Sequence, residues 1–133
     1  MPPLERNLGN GSRRLPPARQ RASHAAVSQL QFRPIMIRHI VFFSAKDKAD
    51  IDRVIDGLAI LTGIPHARKL EVARNKKTDQ LGNDVDAVVY GEFDDEAALA
   101  AFKAHDLYHE SIRRVRPIRE LRFAADFHTS KNN

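Results

Sequence analysis

The spacing of hydrophobic positions changes several times along this chain, and each change marks an element. Met36 to Ser44 reads MIRHIVFFS, β-branched and aromatic, which predicts a strand. From Asp47 to Leu61 the apolar residues fall at Ile51, Val54, Leu58 and Leu61, a helical spacing with acids in the first turn. Thr62-Gly63-Ile64-Pro65 ends that helix. His66 to Arg74 alternates Leu70 and Val72 with charged residues, the pattern of a second strand. A polar loop from Asn75 to Asn83 leads to a third strand, Val85 to Phe93. Asp94-Asp95-Glu96 then supplies the acids expected at a helix start, ahead of Leu99 and Phe102. Helical spacing continues through Leu107, Tyr108, Ile112 and Val115 to Pro117, and Leu121 to Phe127 reads as a fourth strand. The order is βαββαβ, an α+β ferredoxin-like domain with a four-stranded antiparallel sheet.

Two helices can cover only one face of such a sheet, so the other face should be polar if it met water. It is not. Ile37, Val41 and Phe43 point to one side of the first strand and Ile40 and Phe42 to the other, while Val88 and Tyr90 oppose Ala87 and Val89 in the third. A sheet apolar on both faces predicts a homodimer, because a twofold copy presents the same patch to itself. The other reading is a modest exposed apolar patch. Strand parity assigns Arg38, Asp86, Glu92, Arg122 and Asp126 to the same second face. The expected interface is therefore Arg38, Ile40, Phe42, Val88, Tyr90, Arg122 and Asp126, with ion pairs fixing the register.

Composition sharpens this picture at the N-terminus. Residues 1–35 hold six arginines and one acid, which accounts for the whole net charge of +5. From Met36 onward acids and bases balance, so the basic pI says nothing of nucleic-acid binding by residues 36–133. The first 35 residues, rich in Pro, Arg, Ser and Gln, have too little apolar surface to offset ordering, and are read as a disordered basic tail. A targeting segment, a phosphate-binding arm and a translation start at Met36 are the three readings, the last favoured. There is no cysteine, which excludes disulfides, thiolate metal sites and cysteine nucleophiles. No apolar run reaches the ~20 residues of a membrane helix and no signal pattern is present, so the expected location is cytoplasmic.

Candidate chemistry rests on a few residues. His39 falls on the helix-facing side of the first strand, where a hydrogen-bonded core role outweighs ligand binding. His39 and Tyr108 are nonetheless the best chemical pair, a general base and a hydroxyl partner. Phe102 and His105 complete the expected ligand pocket. His105 is expected to satisfy carbonyls at a helix end. His105 and His109 share an i,i+4 spacing, but no third ligand is evident, so no metal and no cofactor are expected.

Taken together, MIRHIVFF at the first strand, EFDDEAALAAFKAH from Glu92 to His105, Pro117 and the AADF of Ala124 to Phe127 resemble the stress-responsive A/B barrel domains. The resemblance spans Met36 to about His128. It implies a ferredoxin-like protomer and a dimeric α+β barrel. Most members have no assigned reaction and some are linked to stress tolerance. A plant cyclase of the family closes a polyketide chain by aldol chemistry. Its first-strand histidine corresponds to His39, but its other three polar pocket positions fall on Ala87, Phe102 and Tyr108. The resemblance thus implies a small homodimeric protein of unassigned activity that binds a small ligand or serves in stress. The alternative is a cyclase- or isomerase-like enzyme acting on an aromatic or polyketide-like molecule near His39 and Tyr108. The expected partners are a second copy and a small molecule, with no membrane, and nucleic acid only through the tail.

Overall fold

The computed structural model describes residues 35–130. The basic tail therefore lies outside the described residues, apart from Ile35. The elements are β1 (Ile37–Ala45), a 3-10 turn (Lys48–Asp50), α1 (Ile51–Ala59), a second 3-10 turn (Ile60–Gly63), β2 (Lys69–Arg74), β3 (Ala87–Phe93), α2 (Glu96–Ala104), α3 (Asp106–Val115) and β4 (Arg119–His128). The four strands form one antiparallel sheet in the order β2-β3-β1-β4. This is the expected ferredoxin-like arrangement, with adjusted boundaries. β2 begins three residues later than its pattern suggested, because Pro65 and His66 form a turn. The run from Glu96 to Val115 is two helices, since His105 takes an extended conformation (φ −70°, ψ 148°) between them.

Cross-strand register sorts side chains into rows. On the helix-facing side, Leu70, Gly91, His39 and Asp126 form one row, and Val72, Val89, Val41 and Ala124 the next. On the open side, Ala73, Val88, Phe42 and Phe123 share a row, as do Lys69, Glu92, Arg38 and Phe127. The helices cover the first set. Val41, Phe43, Val54, Leu58, Val89, Phe93, Leu99 and Phe102 are buried between sheet and helices. Each large side chain so buried contributes roughly 1.5–3 kcal/mol.

Two expectations fail on β4. Arg122 and Asp126 lie on the helix-facing side, beside Phe43 and His39, and are not residues of the open face. The alternation takes its phase from β1, and that phase turns Phe123 and Phe127 outward, where Phe123 stays 63 % exposed and Phe127 45 %. Asp86 also leaves the open face. It precedes β3, is fully buried, and accepts hydrogen bonds from the Ala45 N–H (2.8 Å), Lys48 Nζ (2.8 Å) and Lys77 Nζ (2.6 Å). Burial alone would raise its pKa, but the bonds from Lys48, Lys77 and Ala45 outweigh that and hold it below the usual carboxylate range.

Local chemistry explains the helix positions. Asp47 accepts from the Ala49 N–H and Asp95 from the Ala98 N–H, each capping a helical start. α1 and α3 approach closely at Gly57, where a Cβ would sit 2.7 Å from Val115 Cγ2. Ser111 Oγ donates to the Gly57 carbonyl at 2.9 Å and locks that contact.

Candidate ligand cavity

The space between the sheet and α3 is not filled, and Leu58 of α1 and Leu61 of the turn after it also line it. A cavity of about 240 Å³ opens there. Its floor is His39, Val41 and Phe43 of β1 with Val89 of β3, and α3 forms one wall through Tyr108, Ser111, Ile112 and Val115. Those α3 positions recur at three and four residues, so they share one helix face. Arg116, Arg119 and Arg122 line the end where α3 turns into β4.

His39 is 2 % exposed and stands between Gly91 and Asp126 in its row. Because Gly91 has no side chain, the Phe93 ring lies across it, 2.8 Å from where a Cβ would be. That ring meets His39 edge to face at 6.1 Å. Phe102 packs on Phe93 at 4.9 Å, and Tyr108 on Phe102 at 5.4 Å. An aromatic chain thus runs from β1 to α3 and sets the distance between His39 and Tyr108. On its other side His39 Nδ1 hydrogen-bonds the Asp126 carboxylate. A carboxylate only accepts, so Nδ1 is the donor and Nε2 of the neutral ring keeps its lone pair. Buried imidazole, carboxylate partner and cavity together make a site able to accept a proton from, or a hydrogen bond of, a bound molecule.

The structure therefore brings His39, Phe102 and Tyr108 to one cavity. It leaves His105 out. His105 accepts from the Leu107 N–H through Nδ1 at 3.0 Å, capping the start of α3 rather than the carbonyl end of α2, and packs on His66 at 5.9 Å. The one-residue break between helices gives the ring orphan N–H groups to satisfy. His109 packs on Tyr108 at 6.3 Å. No group of three His, Cys, Asp or Glu among the described residues is placed to hold a metal ion. Asp126 and the arginine end are what the sequence reading missed. The first was assigned to the wrong face. The second was visible only as the density of arginine in RRVRPIRELR, residues 113–122.

A family model for the stress-responsive A/B barrel domain matches residues 37–129. The chain belongs to that family. Among solved structures, a Mesorhizobium loti protein of the same family, with a ferredoxin-like fold, is similar at 26 % identity and TM-score 0.58, over 70 % of this chain and 95 % of its own. A dimeric ferredoxin-like protein of unknown function from Thermobifida fusca is similar at 22 % identity and TM-score 0.62, covering 74 % of this chain and 94 % of its own. An Arabidopsis thaliana protein aligns at 17 % identity and TM-score 0.58, over 71 % and 95 %. At such low identity the latter two show the fold alone. No curated protein matches. No helix among the described residues is long and apolar enough to cross a membrane.

Proposed function

We propose that this A/B barrel domain works as a homodimer joined through the open sheet face, with each protomer holding a small, largely apolar molecule in the cavity at His39 and Tyr108. The observation that carries the ligand reading is the cavity itself, apolar on most of its wall with a few polar groups, which is how small-molecule sites are built. Its volume suits a molecule of about one ring and a short chain.

The dimer reading rests on the uncovered face. Phe42, Val88, Phe123 and Phe127 make an apolar surface there, with Arg38 over the Phe127 ring at 5.9 Å. Arg38 Nε is buried and has no hydrogen-bond partner among the described residues. Tyr90 donates to Glu92 at 2.6 Å, and that bond, with burial, pushes its phenol above the usual range. The Thermobifida fusca neighbour is dimeric, and so is a Bacteroides fragilis protein of the same fold, in support of the same assembly here.

Titrating isotope-labelled protein with 4-phenyl-1-butanol, a neutral ring and chain, tests the cavity. Amide shifts should map to Val41, Val89, Phe102 and Tyr108; shifts scattered over the surface, or none, reject the reading. A second reading is favoured by the His39–Asp126 pair. His39 Nε2 removes a proton beside a ketone carbonyl and returns it to the enolate, with Tyr108 donating to the oxygen. Deuterium uptake from heavy water into 4-phenyl-2-butanone would support it if His39→Ala abolished the effect. A rate equal to that of the variant removes the catalytic reading and leaves binding intact.

A further inference from the structure

The arginines of this protein are not alike. Arg53, Arg68, Arg74, Arg113 and Arg114 each meet a carboxylate, and Arg38 lies over Phe127. Arg116, Arg119 and Arg122, whose side chains make no ion pair or hydrogen bond among the described residues, all line the cavity. No acid lines it. Arg119 is the most enclosed of the three. Burial first, then repulsion from Arg122 and Arg116, lowers its pKa from the ordinary arginine value. Among the described residues Tyr108 alone works the other way, and the balance still falls below the ordinary value. Arg116 and Arg122 are exposed and Arg119 is half-buried, so water screens part of this repulsion; a cluster of cations in a cleft with no acid in its lining draws ligands of the opposite charge.

Register gives the cavity two ends. Arg122 pairs across from Phe43, four residues along β1 from His39, a separation of ~13 Å. Arg119 lies further still, opposite Ala45. On α3, Arg116 stands eight residues beyond Tyr108, or ~12 Å along the axis. By backbone position both elements place the arginines at one end and His39 and Tyr108 toward the other, and the Arg119 side chain reaches back far enough to interact with Tyr108.

We propose that the cavity selects an amphipathic organic anion, its acidic head held by Arg119, Arg122 and Arg116 and its apolar body extending toward His39 and Tyr108. This rests on the cavity being a ligand site, and it adds the chemical class of the ligand. A guanidinium matches a carboxylate or phosphate through paired N–H donors, so either head fits the arginine end. The apolar stretch requires the body.

Calorimetric titration with 4-phenylbutyrate, 4-phenyl-1-butanol and inorganic phosphate separates the requirements. The acid should bind roughly 10- to 100-fold tighter than the alcohol, the effect expected of a charge-assisted pair. Phosphate alone should bind more weakly than the acid. In the double variant Arg119→Gln, Arg122→Gln the acid-to-alcohol ratio should fall toward one, with the amide fingerprint showing that the fold is kept. A charge-keeping pair, Arg119→Lys with Arg122→Lys, should retain most of the preference if the variant with glutamines proves unstable. Equal binding of acid and alcohol by the unaltered protein, a preference that survives the double variant, or phosphate binding as tightly as the acid overturns the proposal. Failure of both phenyl compounds to bind rejects instead the cavity reading beneath it.

Discussion

Replacing Phe123 by Ser tests the assembly through a residue that the protomer itself does not need. Phe123 is 63 % exposed, in a row with Phe42 and Val88 on the uncovered face. A phenylalanine buries ~200 Å² when fully enclosed, so covering the exposed part removes about 125 Å² per protomer. At about 25 cal/mol per Å² that is ~3 kcal/mol per copy and ~6 kcal/mol per dimer, because a twofold interface uses the residue twice. Ordering and imperfect packing make this an upper value. Half of it still weakens association about a hundredfold. Sedimentation across a wide concentration range measures the change, and circular dichroism shows whether the protomer stays folded. Little core contact is lost, so the melting curve of the monomeric variant should keep its cooperativity. If Phe123→Ser associates as tightly as the unaltered protein, the sheet face is not the interface. An unaltered protein that stays monomeric at high concentration refutes the dimer outright.

Three other perturbations bear on the site and its frame. Asp126→Ala should release His39 Nδ1 and shift the ring toward the tautomer protonated at Nε2, which nitrogen chemical shifts report; an unchanged tautomer would mean Asp126 does not set it. Asp86→Ala should cost about 1–3 kcal/mol, mainly from the orphaned Ala45 N–H, since Lys48 and Lys77 can turn to water. Because the folded pKa of Asp86 is depressed, its contribution is complete above the unfolded value of 3.8 and is lost as pH falls through the folded one. Denaturant midpoints below pH 4 should therefore fall less steeply in Asp86→Asn, and parallel acid limbs would contradict the assignment. His105→Ala should lose about 0.5–2 kcal/mol of stability as α3 loses its cap, while His105→Asp restores it; a neutral alanine variant would show that the cap contributes nothing.

Local pattern carried most of the fold. The alternation in MIRHIVFFS and the spacing of Val54, Leu58, Leu99 and Phe102 each reflect a short-range geometric constraint, so strands, helices and the buried face of β1 were legible residue by residue. That His39, Phe102 and Tyr108 face the core was legible for the same reason, and all three line the cavity. β4 was not. Its alternation is as clear as that of β1, but alternation has two phases, and Leu121, Phe123 and Phe127 made the wrong one look inward. Only pairing with β1 chooses between them. The choice moves Arg122 from an expected interface into the cavity lining and Asp126 onto the His39 ring, and it turns Phe123 to the open face.

The sequence by itself determined the βαββαβ order, the two-faced apolar sheet and the net charge confined to residues 1–35, which follow from composition and from spacings of two to four residues. The A/B barrel family shows instead in whole motifs matched over residues 37–129. Tertiary structure decided what the site is. It put the Asp126 carboxylate on the His39 ring, turned His105 from a pocket residue into a cap, and gathered Arg116, Arg119 and Arg122 at one end of a single cavity. The first depends on the register of β1 with β4, and a contact eighty-seven positions apart leaves no periodic trace in a chain; the arginines depend on the packing of α3 and β4 over β1; the His105 cap is local and follows from the one-residue break between α2 and α3.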